Sequence, residues 1–185
     1  MQDIFTGKYV RLEAFDPQEM SRAFPRWYVN SEYQRLLNSY IQPMQSAKAA
    51  LKWIEEEAAE PSPAGHVFSI RTRAEDALIG ELSLEVVNWT GRDAFVAIGI
   101  GETAYWSKGY GTDSMNVLLR FAFTEVNLKR VSLGVFAYNP RAIRSYEKVG
   151  FRHEGQLRQL LNKEGRRWNN LYMGILREEW LELNS

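Results

Sequence analysis

Cysteine does not occur anywhere in the 185 residues. Disulfides, thiolate metal sites and a cysteine nucleophile are therefore excluded, and the absence is compatible with a reducing compartment. Histidine is almost as scarce: His66 and His153 lack partners at metal-ligand spacing, so no metal is expected. Excess charge is missing as well. Lys plus Arg and Asp plus Glu both total 23, which argues against nucleic acid or an anionic membrane as the main partner. No stretch approaches the ~18 apolar residues of a membrane span. The opening MQDIFTGKYVRLEAF has an early acid and no apolar leader core, so a soluble cytoplasmic protein is the expectation. There is no internal repeat, and low complexity is confined to AEPSPAGH (Ala59 to His66), which reads as a loop.

What is present is ordinary for a globular chain: 45% hydrophobic and 25% charged residues, enough for one domain spanning 1–185 with a sizeable core. A strand around YVRLEAF is followed by an aromatic-rich segment, FPRWYVNSEYQRLLNSYI. A helix runs from Ser46, as N-cap, to about Glu60. HVFSIRT, ALIGELSLEVV and AFVAIGIG alternate as strands. Met115, Leu118, Leu119, Ala122 and Val126 then fall at helical spacing, RVSLGVFAY reads as a buried strand, and NPRAIRSYEKVG as a helix with Asn139 as N-cap and Gly150 past its end. FRHEGQLRQLL and RRWNNLYMGILR close the chain as an antiparallel hairpin. The strand–helix–strand–helix–strand order before it predicts parallel neighbours and a mixed sheet, in the α/β or α+β class.

The stretch AYWSKGYGTDS, Ala104 to Ser114, sets two glycines one residue apart just before an apolar helix. A helix start offers unpaired N–H groups and a partial positive charge, which suits an anion such as a phosphate. The dinucleotide fingerprint fails, because Gly109 and Gly111 are followed by Ser114 and ETAYWSK separates them from the strand. The P-loop fails because SKGYGTDS reverses its order. Two parallel strands, each entering a helix, place both helix starts on one edge of the sheet, where ligands bind in open sheets. Gly99 and Gly101 within the first strand mark a bulge or a close backbone approach.

IGIGETAYWSKGYGTDSMNVLLRFAF resembles motif A of the GNAT N-acetyltransferases, and VFAYNPRAIRSYEKVGF resembles their motif B. Within that superfamily the wording is most similar to the branch of the ribosomal-protein N-terminal acetyltransferases RimJ and RimL and the spermidine acetyltransferases. The resemblance implies a mixed, mostly antiparallel sheet of about seven strands, splayed at the coenzyme site and flanked by about four helices. It implies acetyl-CoA as co-substrate, an amine acceptor and a homodimer. Carried over residue by residue, it implies that main-chain N–H groups of Lys108, Gly109, Tyr110, Gly111 and Thr112 cradle the pyrophosphate. Main chain at Ile98 and Ile100 would pair with the pantetheine arm. Asn139 and Ala142 would meet that arm, Lys148 with Arg141 and Arg144 would face the 3′-phosphate, and Tyr146 would act as general acid for the leaving thiolate. On spacing alone, Tyr146 shares a helix face with Ala142 and Val149 and reads equally as core, and the basic residues read equally as a solvated face.

Two departures stand out. Trp106 occupies the position where the family loop usually begins with Arg or Gln, so less side-chain help is expected there. Phe95 stands where many relatives carry a glutamate, so the usual general base is absent. Glu81, Glu85, Asp93 and His153 are the candidate replacements, Glu81 first. A lysine-like amine of pKa ~10.4 needs about 4.6 kcal/mol to be neutral at pH 7, an α-amine of ~7.7–8.0 only about 1.0–1.4 kcal/mol. A weak base therefore suits a protein or peptide N-terminal amine. Polyamine, amino-sugar or antibiotic acetylation and a non-catalytic coenzyme A sensor are the alternatives. Glu55–Glu57 with Glu60 would attract a polyamine or form a solvated helix end. Among the aromatics Trp27, Tyr28, Tyr33, Tyr40 and Trp53, some read as core, and the resemblance implies that this region walls the acceptor site.

Overall fold

The computed structural model describes residues 3–40, 43–58 and 64–184. Glu60 and residues 59–63 of the proline-rich loop lie outside them. Seven strands form one sheet: β1 (Val10–Ala14), β2 (Gly65–Thr72), β3 (Leu78–Asn88), β4 (Asp93–Ile100), β5 (Arg130–Phe136), β6 (Arg152–Lys163) and β7 (Arg166–Leu176), in the order β1-β2-β3-β4-β5-β7-β6. Among the described residues only β4 and β5 pair in parallel. The expected mostly antiparallel sheet is present, but β7 lies between β5 and β6, so the strands on either side of the second motif helix are not neighbours.

Among the described residues six α-helices accompany the sheet, where about four were expected: α1 (Pro17–Tyr28), α2 (Ser31–Leu37), α3 (Ala47–Ala58), α4 (Tyr110–Thr124), α5 (Pro140–Val149) and α6 (Arg177–Leu183). The aromatic-rich segment contributes to the first two. The Asp16 carboxylate caps α1 by accepting from the N–H groups of Gln18 and Glu19, and Asn30 caps α2 in the same way from Glu32 and Tyr33. Pro25 lies inside α1, which obscures that helix in the sequence. Ser46 accepts from the N–H of Ala49 at 3.3 Å, as expected of the N-cap of α3. α6 continues directly from the last strand and buries Trp180 against Phe123 of α4.

One face of the sheet, with Leu82, Leu84, Val96, Val131, Leu133, Met173 and Ile175, packs on Met115, Leu118, Leu119, Ala122 and Phe123 of α4. Val126 lies past the end of α4 and is only partly buried. A smaller cluster of Met20, Ala23, Phe24, Trp27, Tyr33 and Ile54 binds α1, α2 and α3 together.

The sheet opens at its centre. β4 and β5 pair only at Asp93–Arg130, Ala94–Val131 and Phe95–Ser132, and beyond that point each is held by its outer neighbour. β5 follows β7 as far as Phe136–Asn170, and β4 follows β3 as far as Ile100–Gly80. The end of β4 is also pinned from α1: a Cβ on Gly101 would stand 2.0 Å from the Trp27 ring, so only glycine permits this approach.

Candidate active site

The opening between β4 and β5 leads into a cavity of about 480 Å³ bounded by α2, the loop before α4 and the helix α5. Its floor is set by strand register. Gly101 N–H donates to the Ile79 carbonyl, and the antiparallel alternation then directs Gly99 and Ala97 toward β3. Ile98 and Ile100 turn their main-chain groups the other way, into the gap. Both line the cavity. The Ile100 carbonyl already accepts from the Trp106 indole at 2.7 Å, so Ile98 presents the freer backbone.

α4 starts at the cavity edge. Gly109 is its N-cap at φ 93°, in left-handed backbone that favours glycine, and no side chain caps the helix. The first-turn N–H groups are thus left for an anion. Gly109, Gly111 and Thr112 line the cavity, whereas Lys108 and Tyr110 do not; the Tyr110 ring is turned onto Tyr105, 5.0 Å away, and onto Tyr9, 5.7 Å away. A Cβ on Gly111 would find only Ile100 Cγ1, at 3.8 Å, so larger side chains there would grow into the cavity. These features fit a pyrophosphate bound through backbone.

α5 supplies the opposite wall. Asn139 is the N-cap, its side-chain oxygen accepting from Ala142 N–H at 3.1 Å, so that oxygen is committed to the helix. Asn139, Ala142, Tyr146 and Lys148 all face the cavity, together with Arg141 and Arg144. The first turn of α4 is tied to the middle of α5 by a hydrogen bond of 2.7 Å between the Thr112 and Ser145 hydroxyls. Burial pushes the Tyr146 phenol up to about 12, which keeps it protonated at neutral pH. The Arg141 guanidinium lies 3.7 Å from the centre of the Trp106 ring, and burial lowers its pKa against the pull of Glu32. The tryptophan that departs from the family pattern thus closes a stack from the α4 loop to α5.

The carboxylates are arranged differently. No Asp or Glu among the described residues lines the cavity. Glu85 and Asp93 do not line it, although Glu85 is the cross-strand partner of Phe95, which does, and His153 is paired at 3.0 Å with Glu147 of α5. Glu81 is set back behind β4. Enclosure in protein raises its carboxyl from the ordinary 4.5 to about 7 by desolvation. It is the cross-strand partner of Gly99 on one side and of Ser69 on the other.

Tyr33, Leu36 and Leu37 of α2 complete the wall, with Phe95 and Phe136 from the splayed strands. Their spacing at i, i+3 and i+4 behind the Asn30 cap is the signal that identifies α2 as a wall. Ser107, Gly134 and Ser145 also line the cavity, and no sequence signal marked them.

Residues 10–152 match the family model described as Acetyltransferase (GNAT) domain. The chain belongs to the GNAT acetyltransferases. This GNAT chain is 27% identical over 180 residues, 97% of its length and 96% of the relative's, to the SPbeta prophage-derived uncharacterized N-acetyltransferase YokL of Bacillus subtilis. It is 29% identical over 113 residues, 61% of its length and 65% of the relative's, to the uncharacterized N-acetyltransferase YnaD of the same organism. Its fold matches the spermidine N-acetyltransferase of Vibrio cholerae, solved in complex with CoA and spermine, with a TM-score of 0.79 and 26% identity over 93% of this chain and 98% of that one. It is an acetyl-CoA-dependent N-acetyltransferase.

Proposed function

We propose that this GNAT enzyme acetylates the α-amine of a peptide or protein N-terminus by direct transfer from acetyl-CoA. The observation that carries the reading is the wall of the cavity: Tyr33, Leu36, Leu37, Phe95 and Phe136, with no carboxylate among the described lining residues. A polyamine brings several ammonium groups, each costly to desolvate without its own acid. A single amine beside an apolar side chain needs only one base.

Bound acetyl-CoA supplies an activated acyl group as a thioester. The chain's own residues do the rest. N–H groups of Gly109, Gly111 and Thr112 hold the pyrophosphate, and Lys148 with Arg144 neutralises the outer phosphate. Ile98 pairs with the pantetheine arm, and main-chain N–H from the splayed strand polarises the thioester carbonyl. Asn139 and Ala142 position the arm against α5. Glu81, at about 7, takes the proton of the acceptor ammonium. For an α-amine of ~8 that transfer is uphill by about 1 kcal/mol, for a lysine-like amine of ~10.4 by nearly 5 kcal/mol. As the C–N bond forms and the C–S bond breaks, Tyr146 hydrogen-bonds the departing sulfur. Full proton transfer from a phenol at about 12 to a thiolate of ordinary pKa ~8.5 would cost about 5 kcal/mol. Tyr146 therefore acts mainly through its hydrogen bond.

The similarity to a spermidine acetyltransferase favours a second reading, in which a polyamine is the acceptor. The two are separated by measuring kcat/KM, through thiol release, for short peptides with free N-termini and for spermidine. A preference of tenfold or more for peptides is expected; the reverse order would overturn the α-amine reading. Coenzyme binding without turnover on any amine would point to a sensor. Tyr146→Phe is expected to lower kcat about 10²-fold and to leave acetyl-CoA affinity unchanged.

A further inference from the structure

Glu81 does not line the cavity where the acceptor must react, so a base at that position needs a connection. Tyr33 does line it. A Cβ built on Gly99 would lie 2.7 Å from the Tyr33 hydroxyl, so that hydroxyl occupies the space a side chain at position 99 would fill. Gly99 is directly opposite Glu81, and cross-strand Cβ positions are about 5 Å apart. The hydroxyl therefore stands one strand away from the carboxyl-bearing side chain, on the same face of the sheet.

The surroundings of this pair are unusual. Tyr33 is 3% exposed and Ser69, the other cross-strand partner of Glu81, is 1% exposed. Among the described residues, the buried side-chain polar atoms without a hydrogen-bond partner are the Tyr33 hydroxyl, the Ser69 hydroxyl and the Asn38 amide nitrogen. The phenols of both Tyr28 and Tyr33 sense the Glu81 charge. Two of the orphaned groups, the Tyr33 and Ser69 hydroxyls, thus flank a carboxylate that makes no ion pair among the described residues. Arg71, the nearest arginine along β2, is already paired with Glu13 and Glu19. Buried polar groups are satisfied in folded proteins, and a group of this kind around a carboxylate suits bridging water and a passing proton.

Resting on the reading of Glu81 as base, we infer that Tyr33 is a catalytic residue that relays the acceptor's proton to Glu81, its hydroxyl linking the cavity to the carboxylate across the bare Cα of Gly99. The acceptor ammonium donates its N–H to the Tyr33 oxygen while the Tyr33 O–H donates toward Glu81, directly or through one bridging water. The amine loses one proton, Glu81 gains one, and Tyr33 is neutral before and after. Burial and the charge of Glu81 hold the Tyr33 phenol well above its ordinary pKa, so the two transfers occur together and no phenolate forms. The groups facing Glu81 are Tyr28 from α1, Tyr33 from α2, Ser69 from β2 and the unsubstituted backbone of β4 at Gly99. Glu13 and Arg71 lie farther along the same face in their own ion pairs.

The test compares Tyr33→Phe, Glu81→Gln and the double variant, with an amine the wild-type protein acetylates. Three readouts are taken: kcat/KM against pH, acetyl-CoA affinity, and the Glu81 carboxyl titration by carbon-13 NMR. Each single variant is expected to lose at least tenfold in kcat/KM, with the double variant no worse than either and acetyl-CoA affinity unchanged. Tyr33→Phe is expected to move the Glu81 titration upward, because the anion loses a donor. An unmoved titration together with kcat/KM within twofold of wild type would make Tyr33 mere packing and overturn the inference. Loss of the acid limb in Glu81→Gln with an intact Tyr33→Phe profile would keep the base and discard the link. An unchanged Glu81→Gln profile would remove both.

Discussion

Glu81 is a carboxylate held in the fold without a counter-charge, and its effect on stability has a definite sign. Its folded-state pKa of about 7 lies above the ordinary 4.5, so between these values the folded chain binds more protons than the unfolded one. Stability falls as pH rises through this window, and the full loss, roughly 3 kcal/mol, is reached above 7. Glu81→Gln removes the ionisation. Its thermal midpoint is expected to exceed that of the wild-type protein at pH 8, with most of the gap gone at pH 5; a gap independent of pH would show that Glu81 is not desolvated. Legibility at this scale was uneven. Asn139, Pro140 and Gly150 announce the ends of α5, and Gly109 announces the start of α4, because caps are local chemistry. Gly99 and Gly101 announce that something comes close, but not what. Their partners, Tyr33 and Trp27, are some 70 residues away in the chain, and only the folded arrangement of α1 and α2 brings them there.

At the scale of elements, α4 does more than present its N-terminus. Asp113 in its first turn accepts from the main-chain N–H groups of Lys8, Tyr9 and Val10 at 3.0, 2.6 and 3.0 Å. One carboxylate thus fastens the start of β1 to the first turn of α4, and Gly7 leaves room for it, since a Cβ there would be 2.5 Å from the carboxylate. Asp113→Ala is expected to cost about 2–3 kcal/mol, since hydrogen bonds to a charged group are worth more than neutral ones. Urea unfolding would show this as a lower midpoint at unchanged slope. The periodicities of β2 to β5, α4 and α5 were legible, each being a run of alternating or helically spaced apolar residues. α1 and α2 were hidden by Pro25 and by crowded aromatics, and α6 by its brevity. The insertion of β7 between β5 and β6 was hidden for another reason: hairpin partners are fixed by a turn, whereas the next neighbour is chosen by long-range packing.

At the scale of the molecule, the cavity proposed to hold the coenzyme exists because two strands that begin as partners, β4 and β5, part beyond Phe95–Ser132, each following its outer neighbour. Acetyl-CoA is therefore expected to join two halves of the sheet. At a hundredfold excess over its dissociation constant it should add about 2.7 kcal/mol, a rise in thermal midpoint of roughly 5–11 °C. ATP and NAD should give none, and Gly111→Asp, which sets an anion where the pyrophosphate belongs, should abolish the rise. A rise with ATP would overturn the assignment of the loop. The family motifs made the two helix starts at the cavity legible, since glycines and caps are local signals, whereas the sequence offered only a choice among four residues for a base. The stack of Arg141 on Trp106, joining the α4 loop to α5 across the gap, has an optical consequence. An indole with a cation against its face and its N–H bound to a strand carbonyl emits light characteristic of that environment, so the emission of Trp106, isolated by difference against Trp106→Phe, becomes a gauge of the distance between the two sides of the cleft.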